Sequence, residues 1–172
     1  MAQIEPAGVE LLVLDVDGVL TDGSIVYDDA GRELKAFNIR DGFGLTLWRR
    51  AGFEAAILTG RGGGAVVRRA RELGIRVIVE GSADKAAGLA EIAARSGVEP
   101  GRMAYMGDDW PDLPAMRLAG YPMAPADAEG AVREAAAFVS GRAGGHGAVR
   151  DAVEHLLGAK GLLEGLLGSF TG

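Results

Sequence analysis

The stretch Leu11-Leu12-Val13-Leu14-Asp15-Val16-Asp17-Gly18-Val19-Leu20-Thr21-Asp22-Gly23 decides how the rest of the chain is read. Four apolar residues in a row, cut off at a carboxylate, spell a strand buried on both faces, as in parallel sheets. Open α/β sheets hold their ligands at the C-terminal ends of such strands. Asp15 and Asp17 are two residues apart, so in an extended segment their side chains share one side. Two carboxylates in one apolar site repel each other unless a cation or a shared proton intervenes. Gly18 permits the sharp exit that a Cβ would hinder.

Outward from this stretch the same pattern repeats. Strands are expected over 53–58, 75–79 and 102–106, with short ones at 121–123 and 138–139. A helix over 64–73 is closed by Gly74, and one from Asp84, its N-cap, to Ser96 is closed by Gly97. Pro111 suits the first turn of another helix, ending near Gly120. Asp41 is a plausible N-cap for a helix running to about Gly52, and Asp127 for one ending at Ala135. Residues 25–27 and 34–37 flank the turn-forming run Asp28-Asp29-Ala30-Gly31, which predicts a β-hairpin with Gly31 in the left-handed conformation. Residues 140–147 are glycine-rich, 148–157 have helical spacing, and 159–172 carry leucine pairs among glycines, a tail expected to be ordered in part by a partner. The alternation of strand and helix predicts an α/β fold, a parallel sheet with helices on both faces, in a single domain spanning 1–172.

Composition narrows the partners. The 172 residues are 48% apolar, with 28 glycines, two histidines, no cysteine and a net charge of −6. That balance argues against nucleic acid as the main partner, against thiol chemistry or disulfides, and against a His-rich zinc site. No basic leader precedes Leu11 and no apolar run approaches membrane-spanning length, so a cytoplasmic protein with no membrane partner is expected.

Strand C-terminal ends lie on one edge of a parallel sheet. Asp15 and Asp17, Thr59, and Asp108 and Asp109 therefore converge, and Lys85 is expected beside them. A cluster of oxygens without His or Cys suits a hard cation, Mg²⁺ above all where phosphate is present. Asp15 is then a candidate nucleophile and Asp17 a candidate acid. Thr59 and the backbone N–H groups after it, including that of Gly60, can bind phosphoryl oxygens, and Lys85 can neutralise charge on the transferring group. Asp112, in a helix first turn, is a candidate support for the site. Arg40 and Arg61 can pair a carboxylate bidentately, and Arg150 adds a cation after the glycine-rich run.

Asp15-Val16-Asp17-Gly18-Val19, Thr59, Lys85 and Gly107-Asp108-Asp109-x-x-Asp112 resemble the four motifs of the haloacid dehalogenase phosphatase superfamily. Thr21-Asp22-Gly23, the run from Leu34 through Asp41 to Gly44, Thr59-Gly60-Arg61 and the run from Gly144 to Arg150 extend the resemblance to its branch of 3-deoxy-D-manno-octulosonate 8-phosphate phosphatases. The resemblance implies a Rossmann-like core in which a β-hairpin flap, about 24–37, stands in place of a cap domain. It implies a Mg²⁺-dependent phosphatase for a sugar-acid phosphate, working through a phosphoaspartate on Asp15 with Asp17 as acid/base. The implied Mg²⁺ ligands are the Asp15 carboxylate, the Asp17 backbone carbonyl and Asp108, with Asp109 and Asp112 in support. Gly60, Arg61, Arg40, Asp41 and Arg150 are the candidate substrate contacts. Arg at positions 40 and 61 favours the eight-carbon acid over sialic-type 9-phosphates, where relatives carry Ser and Glu; a phosphatase for such a 9-phosphate is the alternative. The implied assembly is a homotetramer, with the C-terminal tail from about 140 reaching a neighbouring subunit's site. His146 departs from the branch, whose members often have Arg there, and Trp110 has no assigned role.

A response-regulator receiver domain also sets an acidic pair, a Thr and a Lys on a parallel sheet. Its acidic pair follows the first strand and its phospho-acceptor a middle one, before Thr and Lys. Here Asp-x-Asp comes first and Asp108-Asp109 follows Lys85, which is the wrong order for a receiver.

Overall fold

The computed structural model describes residues 4–171. In chain order the regular elements are β1 (Leu11–Leu14), β2 (Val26–Tyr27), β3 (Glu33–Leu34), α1 (Ile39–Arg50), β4 (Glu54–Leu58), α2 (Gly64–Leu73), β5 (Val77–Val79) and α3 (Lys85–Ser96). They continue with β6 (Met103–Met106), α4 (Leu113–Leu118), β7 (Tyr121–Ala124), α5 (Gly130–Ala135), β8 (Phe138–Val139), α6 (Ala148–Ala159) and α7 (Leu163–Thr171). Six strands form one parallel sheet in the order β5-β4-β1-β6-β7-β8, and β2 and β3 form a separate antiparallel hairpin. The chain adds β4 and β5 on one side of β1 and then returns to the other side with β6. The β1/β6 boundary is thus the topological switch point, and Leu14 pairs with Met106 just before the two acidic turns.

Alternation along β1 divides the core. Leu12 and Leu14 join Trp48 of α1 and Val149, Val153 and Leu156 of α6 on one face. Leu11 and Val13 join Leu89 and Ile92 of α3, Met116 of α4 and Val132 of α5 on the other. Each such side chain contributes roughly 1.5–3 kcal/mol by leaving water, so both helical layers are needed to hold the sheet edge that carries the polar turns.

Several local expectations hold. Gly31, Gly74 and Gly97 all have left-handed φ, and Asp84 accepts hydrogen bonds from the N–H groups of Ala86 and Ala87. Two capping assignments do not. Asn38, not Asp41, caps α1, accepting from the Arg40 N–H at 2.8 Å. Asp41 sits one turn in and serves a different helix: its carboxylate accepts from the N–H groups of Gly147 (3.1 Å) and Arg150 (2.9 Å) at the start of α6. Asp127 likewise does not cap α5, which Glu129 precedes, but accepts from the Gly144 N–H at 2.9 Å.

The stretch from 140 onward is not a loose tail. Residues 140–147 are bolted to their own chain: Gly145 N–H donates to Val19 O (3.0 Å), and Asn38 Nδ2 donates to Gly145 O (3.0 Å). A Cβ at Gly144 would collide with the Gly18 carbonyl, so glycine lets this loop lie against the turn after β1. In α6, Ala148, Val149, Ala152, Val153, Leu156 and Leu157 are fully buried. α7 folds back on the same body, with Leu163 and Leu166 against the core and the Phe170 ring edge-on to Phe43. The glycine-rich run is therefore anchored on its own chain, with Gly144 and Gly145 against the turn after β1. Among the described residues no helix is long and apolar enough to cross a membrane.

Candidate active site

Behind β1 the chain turns at once: Val16 O accepts from the N–H groups of Val19, Leu20 and Thr21. This turn aims Asp15 and Asp17 into a cavity of about 300 Å³ that Thr59, Gly60, Arg61, Lys85, Asp108, Asp109 and Asp112 also line. Gly18 has φ +87°, and a Cβ there would strike the Asp108 carboxylate, so glycine is what lets the two acidic turns meet.

Lys85, the first residue of α3, is buried and holds the centre of the cluster. Its Nζ lies 2.8 Å from Asp15 Oδ1 and 3.2 Å from Asp112 Oδ1, and donates to Leu58 O at 3.0 Å. Asp112 stiffens the Asp108 turn, its Oδ2 accepting from the N–H groups of Asp108 (3.0 Å) and Asp109 (3.3 Å). Asp109 caps its own short turn, accepting from the Trp110 N–H at 2.7 Å. The Thr59 hydroxyl shapes the following loop, donating to Arg61 O at 2.9 Å and accepting from Arg61 N–H at 3.2 Å.

One carboxylate oxygen each from Asp15, Asp108 and Asp112 lie within 4.8 Å of one another. Burial, then the Asp112 charge, pushes the Asp15 carboxyl up to about 6, against the pull of Lys85. Burial and the charges of Asp112, Asp15 and Asp109 push Asp108 up to about 8. One ammonium does not balance this cluster. The donors are all carboxylates, a hard set that fits Mg²⁺.

Two positions missed by the motif reading also belong here. Lys35, just past β3, forms ion pairs with Asp17 and, at 2.8 Å, with Glu33, and Glu33 pairs Arg61 at 2.9 Å. Burial works to lower the Lys35 ammonium, but its bonds to Asp17 and Glu33 outweigh that and hold it above its ordinary value. Tyr105 of β6 donates from its hydroxyl to Asp112 Oδ1 at 2.6 Å, beneath Lys85. Nothing in the sequence separates Tyr105 from an ordinary core residue. The Glu33-x-Lys35 alternation was the available signal for the hairpin pair.

Three candidate substrate contacts lie outside this cavity. Arg40 and Arg150 line a separate hollow with Arg142 and Glu154, where Arg150 Nε donates to Glu154 Oε1 at 2.5 Å. Asp41 is buried beneath it as the α6 cap, its carboxyl raised by burial against the backbone donors that lower it. His146 is exposed on the 140–147 loop, and Trp110 is 66% exposed beside the acidic turn.

A family model described as haloacid dehalogenase-like hydrolase matches residues 69–151. The chain is 41% identical over 164 residues to the 3-deoxy-D-manno-octulosonate 8-phosphate phosphatase of Escherichia coli, covering 95% of this chain and 86% of the relative. It is similar to the crystal structure of the Moraxella catarrhalis 3-deoxy-D-manno-octulosonate 8-phosphate phosphatase in complex with magnesium, phosphate and KDO. That match has a TM-score of 0.93 and 38% identity, covering 96% and 95% of the two chains. It is also similar to the cobalt-bound Haemophilus influenzae phosphatase, with a TM-score of 0.89 and 36% identity over 93% of this chain and 94% of the other.

Proposed function

The chain belongs to the haloacid dehalogenase-like hydrolases, and from that premise we propose how its own residues work. It is a Mg²⁺-dependent phosphatase that converts 3-deoxy-D-manno-octulosonate 8-phosphate to the free sugar acid and phosphate. The observation that carries the residue assignment is the convergence of Asp15, Asp17, Lys85 and Asp108 in one cavity at the β1/β6 switch point.

In this reading Asp15 attacks phosphorus and becomes a phosphoaspartate, while Asp17 protonates the departing sugar oxygen. Asp15, Asp108 and the Asp17 backbone carbonyl would hold Mg²⁺, and Asp109 and Asp112 brace the turn. Bound there, the ion supplies a positive charge against the phosphoryl oxygens. Lys85 fixes the Asp15 carboxylate and adds its own charge on the same side. Thr59 sets the loop whose Gly60 lines the cavity, and Arg61 at its rim is the group we assign to the substrate carboxylate.

We further read the enzyme as a cytoplasmic homotetramer of single-domain subunits. The support for assembly is the hairpin, whose Ile25, Val26, Tyr27 and Leu34 side chains are exposed and apolar. Arg40 and Arg150, outside this chain's own cavity, then contribute to substrate binding only through a neighbour's site, whereas Asp41, buried with both carboxylate oxygens on the α6 backbone, serves the fold and not the substrate.

A phosphate-release panel tests the reading. With Mg²⁺, the eight-carbon sugar-acid phosphate should be preferred over a nine-carbon one and over hexose phosphates. Asp15→Asn should lose at least ~10³-fold in turnover while remaining folded. Retention of a tenth of the wild-type rate by that variant would end the covalent mechanism.

A further inference from the structure

Lys35 is an unusual residue to find buried. Its side chain is 4% exposed, yet it lies on a hairpin whose other large side chains face outward. A lysine is taken out of water only where anionic partners offset the cost. Alternation along β3 explains how it gets there: Glu33 and Lys35 point to one side, while Leu34 between them is exposed.

Its partner is the more informative half. Asp17 gives Oδ1 to the Lys35 ammonium, while its Oδ2 is buried with no hydrogen-bond partner among the described residues. A buried carboxylate oxygen left unpaired costs free energy unless something else engages it. Glu33 extends the contact outward by bridging Lys35 to Arg61, so four alternating charges run from the cavity rim to Asp17.

We propose that Lys35 is the positioning residue of Asp17: it fixes Oδ1 so that Oδ2 meets the leaving oxygen, and Glu33 ties this grip to Arg61. The inference rests on the assignment of Asp17 as acid. In the step, the Asp15 carboxylate oxygen forms a bond to phosphorus and the bond from phosphorus to the ester oxygen breaks. The proton on Asp17 Oδ2 passes to that oxygen, and Lys35 keeps all of its own.

The leaving group separates positioning from mere support. An aryl phosphate needs little protonation as it departs, whereas an alkyl sugar phosphate needs much. In the Mg²⁺-loaded protein, Lys35→Met should lower kcat on the sugar-acid phosphate by ~10²-fold and on 4-nitrophenyl phosphate by less than ~5-fold. Lys35→Arg, which keeps the charge, should fall between wild type and Lys35→Met. Glu33→Gln should show a smaller split in the same direction, and it serves alone if Lys35→Met does not fold. Parallel losses on both esters, or no loss on either, would overturn the proposal. Wild-type protein inert toward the sugar-acid phosphate alone would remove only the substrate assignment. The same split is then read between glycerol 1-phosphate and the aryl ester, and inertness toward every phosphate would remove both.

Discussion

Asp15 and Asp108 hold their protons more tightly in the folded chain than an ordinary carboxyl does, at about 6 and about 8 against a reference of 3.8. Groups raised in this way contribute stability that is complete below the unfolded value and is lost as pH rises through the folded one. Metal-free protein should therefore lose thermal stability from pH ~5 to ~8.5, and Mg²⁺, which needs the ionised carboxylates, should raise Tm most at the alkaline end. Melting curves with and without Mg²⁺ across that range check it, and an equal shift at both ends would contradict it. At this scale much of the site was legible. Asp15, Asp17, Thr59 and Asp108 each end or follow a strand, and strand ends of a parallel sheet share an edge. Lys35 was only half legible as a site group: the Glu33-x-Lys35 alternation sets both side chains on one side of the strand, but a short exposed hairpin does not say that this side faces the acid. Tyr105 was hidden by its place in a buried strand, where a phenol and a plain ring look alike.

Elements join through caps that cross between them, and those are the contacts the sequence conceals. The spacing around Asp41 shows a residue able to cap a helix, and it does cap one, but the helix begins more than a hundred residues later. Local sequence reports capping chemistry, not which free N–H groups the fold brings near it. Glycine stops such as Gly74 and Gly97 were readable because the left-handed turn they make is decided by the residue itself. With one oxygen on the Gly147 N–H and the other on the Arg150 N–H, Asp41 pins α6 to α1. Asp41→Ala should cost ~2–3 kcal/mol in urea unfolding, since buried backbone donors lose a charged acceptor. Asp41→Asn, keeping one acceptor oxygen, should cost less. If Ala and Asn cost the same, or neither moves the midpoint, the joint carries no such load.

For the whole molecule, the decisive boundary is the one between α6 and α7. Composition alone drew it at 140, because leucine pairs among glycines look like a tail and a glycine-rich run looks like a linker. Packing draws it after Lys160, whose Nζ donates to Ala7 O at 2.7 Å and Val9 O at 2.6 Å and so ties the end of α6 to the entrance of β1. Everything before that tie belongs to the core that aims Asp15. α7 beyond it covers one side of Phe43 and Arg50 and leaves Leu167 and Phe170 about half exposed. Deleting residues 161–172 should leave a folded chain with Tm lower by ~4 °C or less, consistent with the loss of roughly 1 kcal/mol or less from a chain of this size. Deleting 140–172 should leave none, because six fully buried α6 residues go with it. Circular dichroism and sedimentation of the two truncations check this. In the same runs the shorter deletion should still sediment as a tetramer if assembly runs through the exposed hairpin. A tetramer in the intact chain that becomes monomeric on loss of 161–172 would move the contact to α7. A folded 140–172 deletion would mean that α6 is not part of the core that holds the site.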